Sequence, residues 1–161
     1  MLYFAFGSNL HKKQMKKRCK DSKYIGCYTL KNYKLSFRTG SWSGGKLEGG
    51  VADIEKKKNS KVLGAIYKIS KRDEKKLDVY EDFPFLYVKK YFKLFRKKVM
   101  FYYMPKKTKQ VPPSRRYLNI IKQGYVDCGY RDTYIVISKN RREKVRWKYL
   151  IALCFLMKKC Y

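Results

Sequence analysis

Residues 1–10, MLYFAFGSNL, open the chain with an apolar run, Leu2 to Phe6, that stops at Gly7-Ser8-Asn9. The run reads as a buried first strand. Gly, Ser and Asn then supply a turn and a cap, and Leu10 to Cys19 reads as a short basic helix. A strand needs no such ending unless the turn after it has a task. A strand leading through a tight turn into a helix presents backbone N–H groups at a helix N-terminus, where an anion can bind.

The rest of the chain alternates strands with a few helices. Tyr24 to Leu30 and Tyr33 to Phe37 are strand-like and split by Lys31-Asn32. Thr39 to Gly50 holds five of the ten glycines and reads as a loop. Strands are expected over Val51 to Ile54 and Val62 to Ile69. Ser70 then caps a helix running from Lys71 to about Glu81, with Asp73 at its third position. Two aromatic-rich strands, Leu86 to Phe95 and Lys98 to Met104, are expected to pair. A loop from Pro105 through Pro112-Pro113 leads to a helix from Ser114 to about Tyr125, and Tyr130 to Ser138 reads as one more. Strands dominate and there is no internal repeat. The expected fold is α+β, a small mixed β-barrel-like sheet with inserted helices.

At 161 residues the chain suits one domain able to bury about two thirds of its unfolded surface. That domain is expected over residues 1–138. Residues 139–161 form a basic then apolar extension, "RREKVRWK" followed by "YLIALCFLMKKCY". The extension suits either an amphipathic surface helix or a segment packed on the domain. Its apolar run, Tyr149 to Met157, falls short of the ~18 residues of a spanning helix. No basic region precedes the first apolar segment, so no signal peptide is read there. Five cysteines, an odd number without a CxxC pair, point to free thiols in a reducing cytoplasm.

The formal charge of +29 raises nucleic acid or another acidic surface as a non-specific partner. Lysines greatly outnumber arginines and are spread along the whole chain, which equally suits a solvated surface and compositional bias. His11 is the only histidine and reads as a surface residue; a Ser8–His11 arrangement has little support. Histidine-rich metal sites are excluded by that count. No P-loop or dinucleotide-binding glycine motif occurs.

Among the twelve acidic residues one group stands apart, at 77–87, LDVYEDFPFLY. Leu77, Tyr80 and Glu81 can share one helical face. A carboxylate at that helix end, surrounded by aromatic rings, would lose solvent. Its pKa would rise toward the range useful for proton transfer near neutrality. The alternative is a solvated helix end.

Four segments in order resemble the gamma-glutamylcyclotransferase-like family: YFAFGSNL (3–10), GGVADI (49–54), LDVYEDFPFLY (77–87) and PPSRRYLNIIKQGYVDCGYRDTYI (112–135). The likeness extends from Met1 to about Ser138. It implies that Glu81 is the catalytic glutamate. It implies that Tyr3, Phe4, Ala5, Phe6, Gly7, Ser8, Asn9 and Leu10 cradle the gamma-glutamyl group, Gly7 letting the backbone lie against it. Tyr87, Tyr102 and Tyr117 match family tyrosines near the substrate. The implied reaction closes the substrate α-amine onto the gamma carbonyl and gives 5-oxoproline and a free amine or amino acid, with no cofactor or metal. A gamma-glutamylamine cyclotransferase is the alternative enzyme, and a non-catalytic ligand-binding or nucleic-acid-binding protein the alternative outside enzymes. The expected partner is a small gamma-glutamyl compound, and the expected state a monomer or homodimer. Two positions depart from the family pattern: Phe6 stands for its usual tyrosine, and Leu47 for its tryptophan before the paired glycines.

Overall fold

The computed structural model describes residues 1–42, 45–46 and 49–130. The expected helix over Tyr130 to Ser138, the boundary at residue 138 and the C-terminal extension therefore lie outside the described residues, apart from Tyr130 itself.

Strand β1 (Leu2–Ala5) is followed by a 3-10 turn (Ser8–Leu10) and helix α1 (Lys12–Arg18). Next come the long strand β2 (Lys23–Arg38), a short pair β3 (Ser41–Trp42) and β4 (Gly45–Lys46), and the long strand β5 (Val51–Lys68). Helix α2 (Lys71–Tyr80), strands β6 (Val88–Leu94) and β7 (Lys97–Tyr103), and helix α3 (Arg115–Asp127) complete the described order. The main sheet runs β2-β5-β1-β7-β6. It is mixed, because β1 pairs antiparallel with β5 and parallel with β7. The α+β expectation holds, but the sheet is open, with β2 and β6 at its edges rather than joined into a barrel.

The first strand is central. Tyr3, Phe4 and Ala5 are all buried, as expected for a strand covered on both faces. Phe4 makes edge contacts with Tyr28 and Phe92, and Phe92 packs on Phe101. This aromatic group fastens the two edges of the sheet to its middle strand.

Several expected boundaries move. The two strands expected over 24–30 and 33–37 are one, as are those over 51–54 and 62–69. At the point where a break is expected, pairing jumps from Lys31–Lys61 to Tyr33–Lys56, and residues 57–60 bulge out opposite Asn32. Asn32 and Asn59 each take φ of 62°, and the Asn59 N–H donates to Asn32 Oδ1 at 3.2 Å. Asparagine tolerates left-handed backbone, so the ribbon bends through an irregularity instead of ending. The glycine-rich loop contains the β3–β4 pair. The basic helix begins at Lys12, since residues 8–10 form the 3-10 turn.

Helix α2 begins where its cap requires: Ser70 Oγ accepts from the Asp73 N–H at 3.0 Å. Ser114 caps α3 in the same way, accepting from the Tyr117 N–H at 3.2 Å. Helix α3 lies close over the 3-10 turn at Gly124, where a Cβ would sit 2.7 Å from Leu10 Cγ. Among the described residues no helix is long and apolar enough to cross a membrane.

Candidate active site

Where β1 ends, the chain turns tightly. The Leu10 N–H donates to Gly7 O at 3.0 Å and the His11 N–H to Ser8 O at 3.3 Å. The Leu10 amide is thus used inside the turn. This narrows the expectation of free backbone N–H groups at a helix N-terminus, because the Leu10 and His11 amides are spent within the turn. The helix proper starts later, and its start is already capped: the Lys12 N–H donates to Asp127 Oδ2 at 2.9 Å. His11 is also not a bare surface residue. It is half-buried, with Nδ1 2.8 Å from Asp127 Oδ2. Asp127 closes α3, so a single carboxylate joins the end of one helix to the beginning of another.

The turn forms one wall of a cleft of about 1730 Å³. Tyr3, Phe6, Gly7, Ser8 and Asn9 line it, together with Glu81. Tyr87, Tyr102 and Tyr117 are in the lining as well. Phe4, Ala5 and Leu10 are not in the lining; they are fully buried in the core and hold the strand and turn from behind. The fold thus gathers into one cleft eight of the eleven residues named for the substrate, together with Glu81.

Asn9 is the hub. Its Nδ2 donates to Tyr3 Oη at 3.0 Å and to Glu81 Oε1 at 2.9 Å. Its Oδ1 accepts from Arg18 Nη1 at 2.6 Å. The same Arg18 nitrogen donates to Ser8 Oγ at 3.0 Å, and Nη2 donates to Tyr80 Oη at 2.6 Å. The Tyr80 hydroxyl lies 3.3 Å from Ser8 Oγ.

Glu81 closes helix α2, its N–H bonded to Leu77 O at 2.8 Å. The residue is half-buried, not a solvated helix end. Burial raises its pKa to about 7; the Arg18 charge and the Asn9 hydrogen bond pull it back only partly. A carboxyl with that value can both accept and donate a proton near neutrality.

The opposite wall is built on Ala52 of β5, beside the paired glycines 49–50. The Ala52 N–H donates to Tyr117 Oη at 3.2 Å, and Tyr87 Oη donates to Ala52 O at 2.7 Å. Tyr102 donates to Asp78 Oδ1 at 2.7 Å. Burial first, then neighbouring acidic groups, keeps Tyr87, Tyr102 and Tyr117 protonated. They are hydroxyl donors or acceptors, not bases. A Cβ on Gly7 would meet Tyr117 Oη at 3.1 Å and Ala52 Cβ at 3.2 Å. Gly7 is therefore the point where the turn and this wall come together, which the turn sequence alone does not reveal.

Arg18, Tyr80 and Ala52 belong to the site although neither the motifs nor the resemblance assigned them a part in it. Arg18 is one of 41 cations and has no local signal. Tyr80 stands beside Glu81, and Ala52 lies within the GGVADI stretch, so both were within reach. Among the described residues no group of three or more His, Cys, Asp or Glu side chains is gathered as metal ligands would be.

A model of the family "Gamma-glutamyl cyclotransferase, AIG2-like" matches residues 3–124. Among solved structures, a gamma-glutamyl cyclotransferase is 27% identical with a TM-score of 0.68, covering 81% of this chain and 81% of its own. A Homo sapiens protein described as uncharacterized is 26% identical with the same TM-score, covering 81% and 80%. YkqA from Bacillus subtilis shares the fold at 20% identity and a TM-score of 0.62, covering 78% and 48%. No curated protein matches by sequence. The family match takes in the turn, Glu81 and the tyrosines of both walls, and the chain belongs to the gamma-glutamyl cyclotransferase, AIG2-like family.

Proposed function

We propose that this protein is a gamma-glutamylcyclotransferase with Glu81 as its proton shuttle. A gamma-glutamyl amide carries its own nucleophile. The α-amine attacks the gamma carbonyl and a five-membered ring closes. The amine gives a proton to the Glu81 carboxylate, the amide C–N bond breaks, and the leaving nitrogen takes the proton back. The products are 5-oxoproline and a free amine or amino acid. Holding a unimolecular attack in the right geometry can itself lower the barrier by several kcal/mol. The turn from Phe6 to Asn9 is proposed to hold the glutamyl group, with Tyr3, Tyr87, Tyr102 and Tyr117 around it.

One observation carries this reading: the Glu81 carboxyl, in the lining of the cleft and held by Asn9 at 2.9 Å, has its pKa raised by burial to about 7. A solvated glutamate would be a weak acid–base catalyst at neutral pH. The test is to incubate the purified protein with gamma-glutamyl amino acids, gamma-glutamyl amines and gamma-glutamyl peptides and to assay 5-oxoproline. Release from at least one class, abolished by Glu81→Gln, is expected; no release from any class overturns the proposal.

A further inference from the structure

Arg18 ends helix α1 as its last residue, where the helix dipole favours a cation. It makes no hydrogen bond to Glu81 itself; apart from the Gln14 amide on its own helix, its partners belong to the frame around Glu81. One guanidinium nitrogen holds Ser8 Oγ and Asn9 Oδ1, the other holds Tyr80 Oη, and the guanidinium carbon lies 3.6 Å from the Tyr80 ring centroid. A planar fork stacked on an aromatic ring and bonded at both ends has little freedom left.

This arrangement settles which way the Asn9 amide points. A guanidinium can only donate, so it faces Oδ1 and leaves Nδ2 to donate to Tyr3 and Glu81. Turned over, the amide would set its oxygen against the Glu81 carboxylate and its nitrogen against the guanidinium, and lose the bonds to both. The groups that bear on Glu81 come from several elements. Tyr3 on β1, Asn9 in the turn and Tyr80 on α2 stand beside it, while Tyr87, Tyr102 on β7 and Tyr117 on α3 interact with it across the cleft. Arg18 is the cation among them that draws the Glu81 pKa downward, against the effect of burial.

We infer that Arg18 is a positioning residue: its fork fixes the Asn9 amide as a donor to Glu81 and sets a cationic charge one side chain away from that carboxyl. The inference rests on the cyclotransferase reading for its kinetic consequence but not for its titration consequence, so the two can fail separately. Arg18→Met removes charge and fork. Arg18→Lys keeps the charge and loses the planar fork. Lys57→Met, on an exposed stretch away from the cleft, removes one charge as a control.

Each variant is followed by a carbon-13 NMR pH titration of the Glu81 carboxyl, assigned by its loss in Glu81→Gln, and by the pH–rate profile for 5-oxoproline release. In Arg18→Met the Glu81 midpoint and the acid limb of the profile move up by about one pH unit, the low end of what a neighbouring guanidinium does to a carboxylate. In Arg18→Lys the midpoint stays near that of the wild type, while kcat falls about tenfold with KM little changed, the pattern of a lost orientation. Lys57→Met leaves the midpoint in place. An unmoved midpoint in Arg18→Met overturns the inference whatever happens to activity, and so does an Arg18→Lys protein with full turnover. Should Arg18→Met fail to fold, Arg18→Lys and Tyr80→Phe, which loosens one end of the fork, take its place: reduced kcat in both supports the inference, and full turnover in either overturns it. If the wild type releases no 5-oxoproline, the titration still decides the role of Arg18.

Discussion

Replacing Glu81 by Gln should make the protein more stable at the same pH at which it becomes inactive. The Glu81 pKa in the folded protein is about 7, against an ordinary 4.5. Below pH 4.5 the group is neutral in both folded and unfolded chains. As pH rises toward and through 7, the unfolded chain has already ionised, and the folded one must place a charge where solvent is scarce. Stability is therefore full at low pH and lost across this window. The gap corresponds to roughly 2 to 3 kcal/mol once the partial exposure of Glu81 is allowed for. Glutamine has the same length and no charge, and its oxygen can accept the 2.9 Å bond from Asn9. Urea unfolding at pH 4 and pH 8 reads the difference. The variant should match the wild type near pH 4 and exceed it by roughly 2 kcal/mol at pH 8, while turnover falls by about two to four powers of ten. An equal difference at both pH values, or a variant less stable at pH 8, would refute the picture of a desolvated acid and with it the proton shuttle.

Gly7→Val should abolish binding of a gamma-glutamyl compound, because the new side chain has to displace the Tyr117 hydroxyl and Ala52, 3.1 and 3.2 Å from the Cβ position; isothermal titration with 5-oxoproline checks it, and normal affinity would show that the turn is only a turn. Asp127→Ala should cost about 1 to 2 kcal/mol in urea unfolding, since one carboxylate serves His11, the Lys12 amide and Gln123. Although burial opposes it, hydrogen bonds from His11, Gln123 and the Lys12 amide hold the Asp127 pKa below the ordinary value. That stability is present above the unfolded value and fades as pH falls, so the cost should shrink in acid. The lysine-rich surface should bind mixed-sequence RNA and DNA weakly and alike, with affinity collapsing between low and physiological salt in a filter-binding assay; selective sub-micromolar binding at physiological salt would point to a nucleic-acid role.

What was legible in the sequence is what local chemistry writes there. The apolar run of β1, the Gly-Ser-Asn ending, the Ser70 and Ser114 caps and the carboxylate after LDVY each leave a short signature. The site was legible to the extent that its residues sit in such stretches: Gly7 to Asn9 and Glu81 meet in the cleft as the resemblance implied. What was not legible depends on partners far away in the chain. His11 looked solvated because Asp127 lies 116 residues on. The resemblance placed Phe4 and Ala5 with the substrate, yet a central strand buries their side chains in the core. Lys31-Asn32 looked like a break because a left-handed asparagine inside a paired ribbon has the same composition as a turn. Arg18 was hidden among like residues, with its role set by where α1 ends relative to α2.

The central place of β1 has a consequence for how the molecule comes into being. Strand β1 pairs with Ala65 to Lys68 on one side and with Val99 and Met100 on the other. It must wait for both partners before it is held. Contacts of such long sequence separation slow folding, because the intervening chain has to be ordered before they form. The residues that line the cleft are drawn from positions 3 to 123, so no fragment that lacks either end of that span contains them all. With the proposed activity, a nascent or half-folded chain is expected to be inert, and the emergence of turnover during refolding would be a clock for completion of the whole sheet.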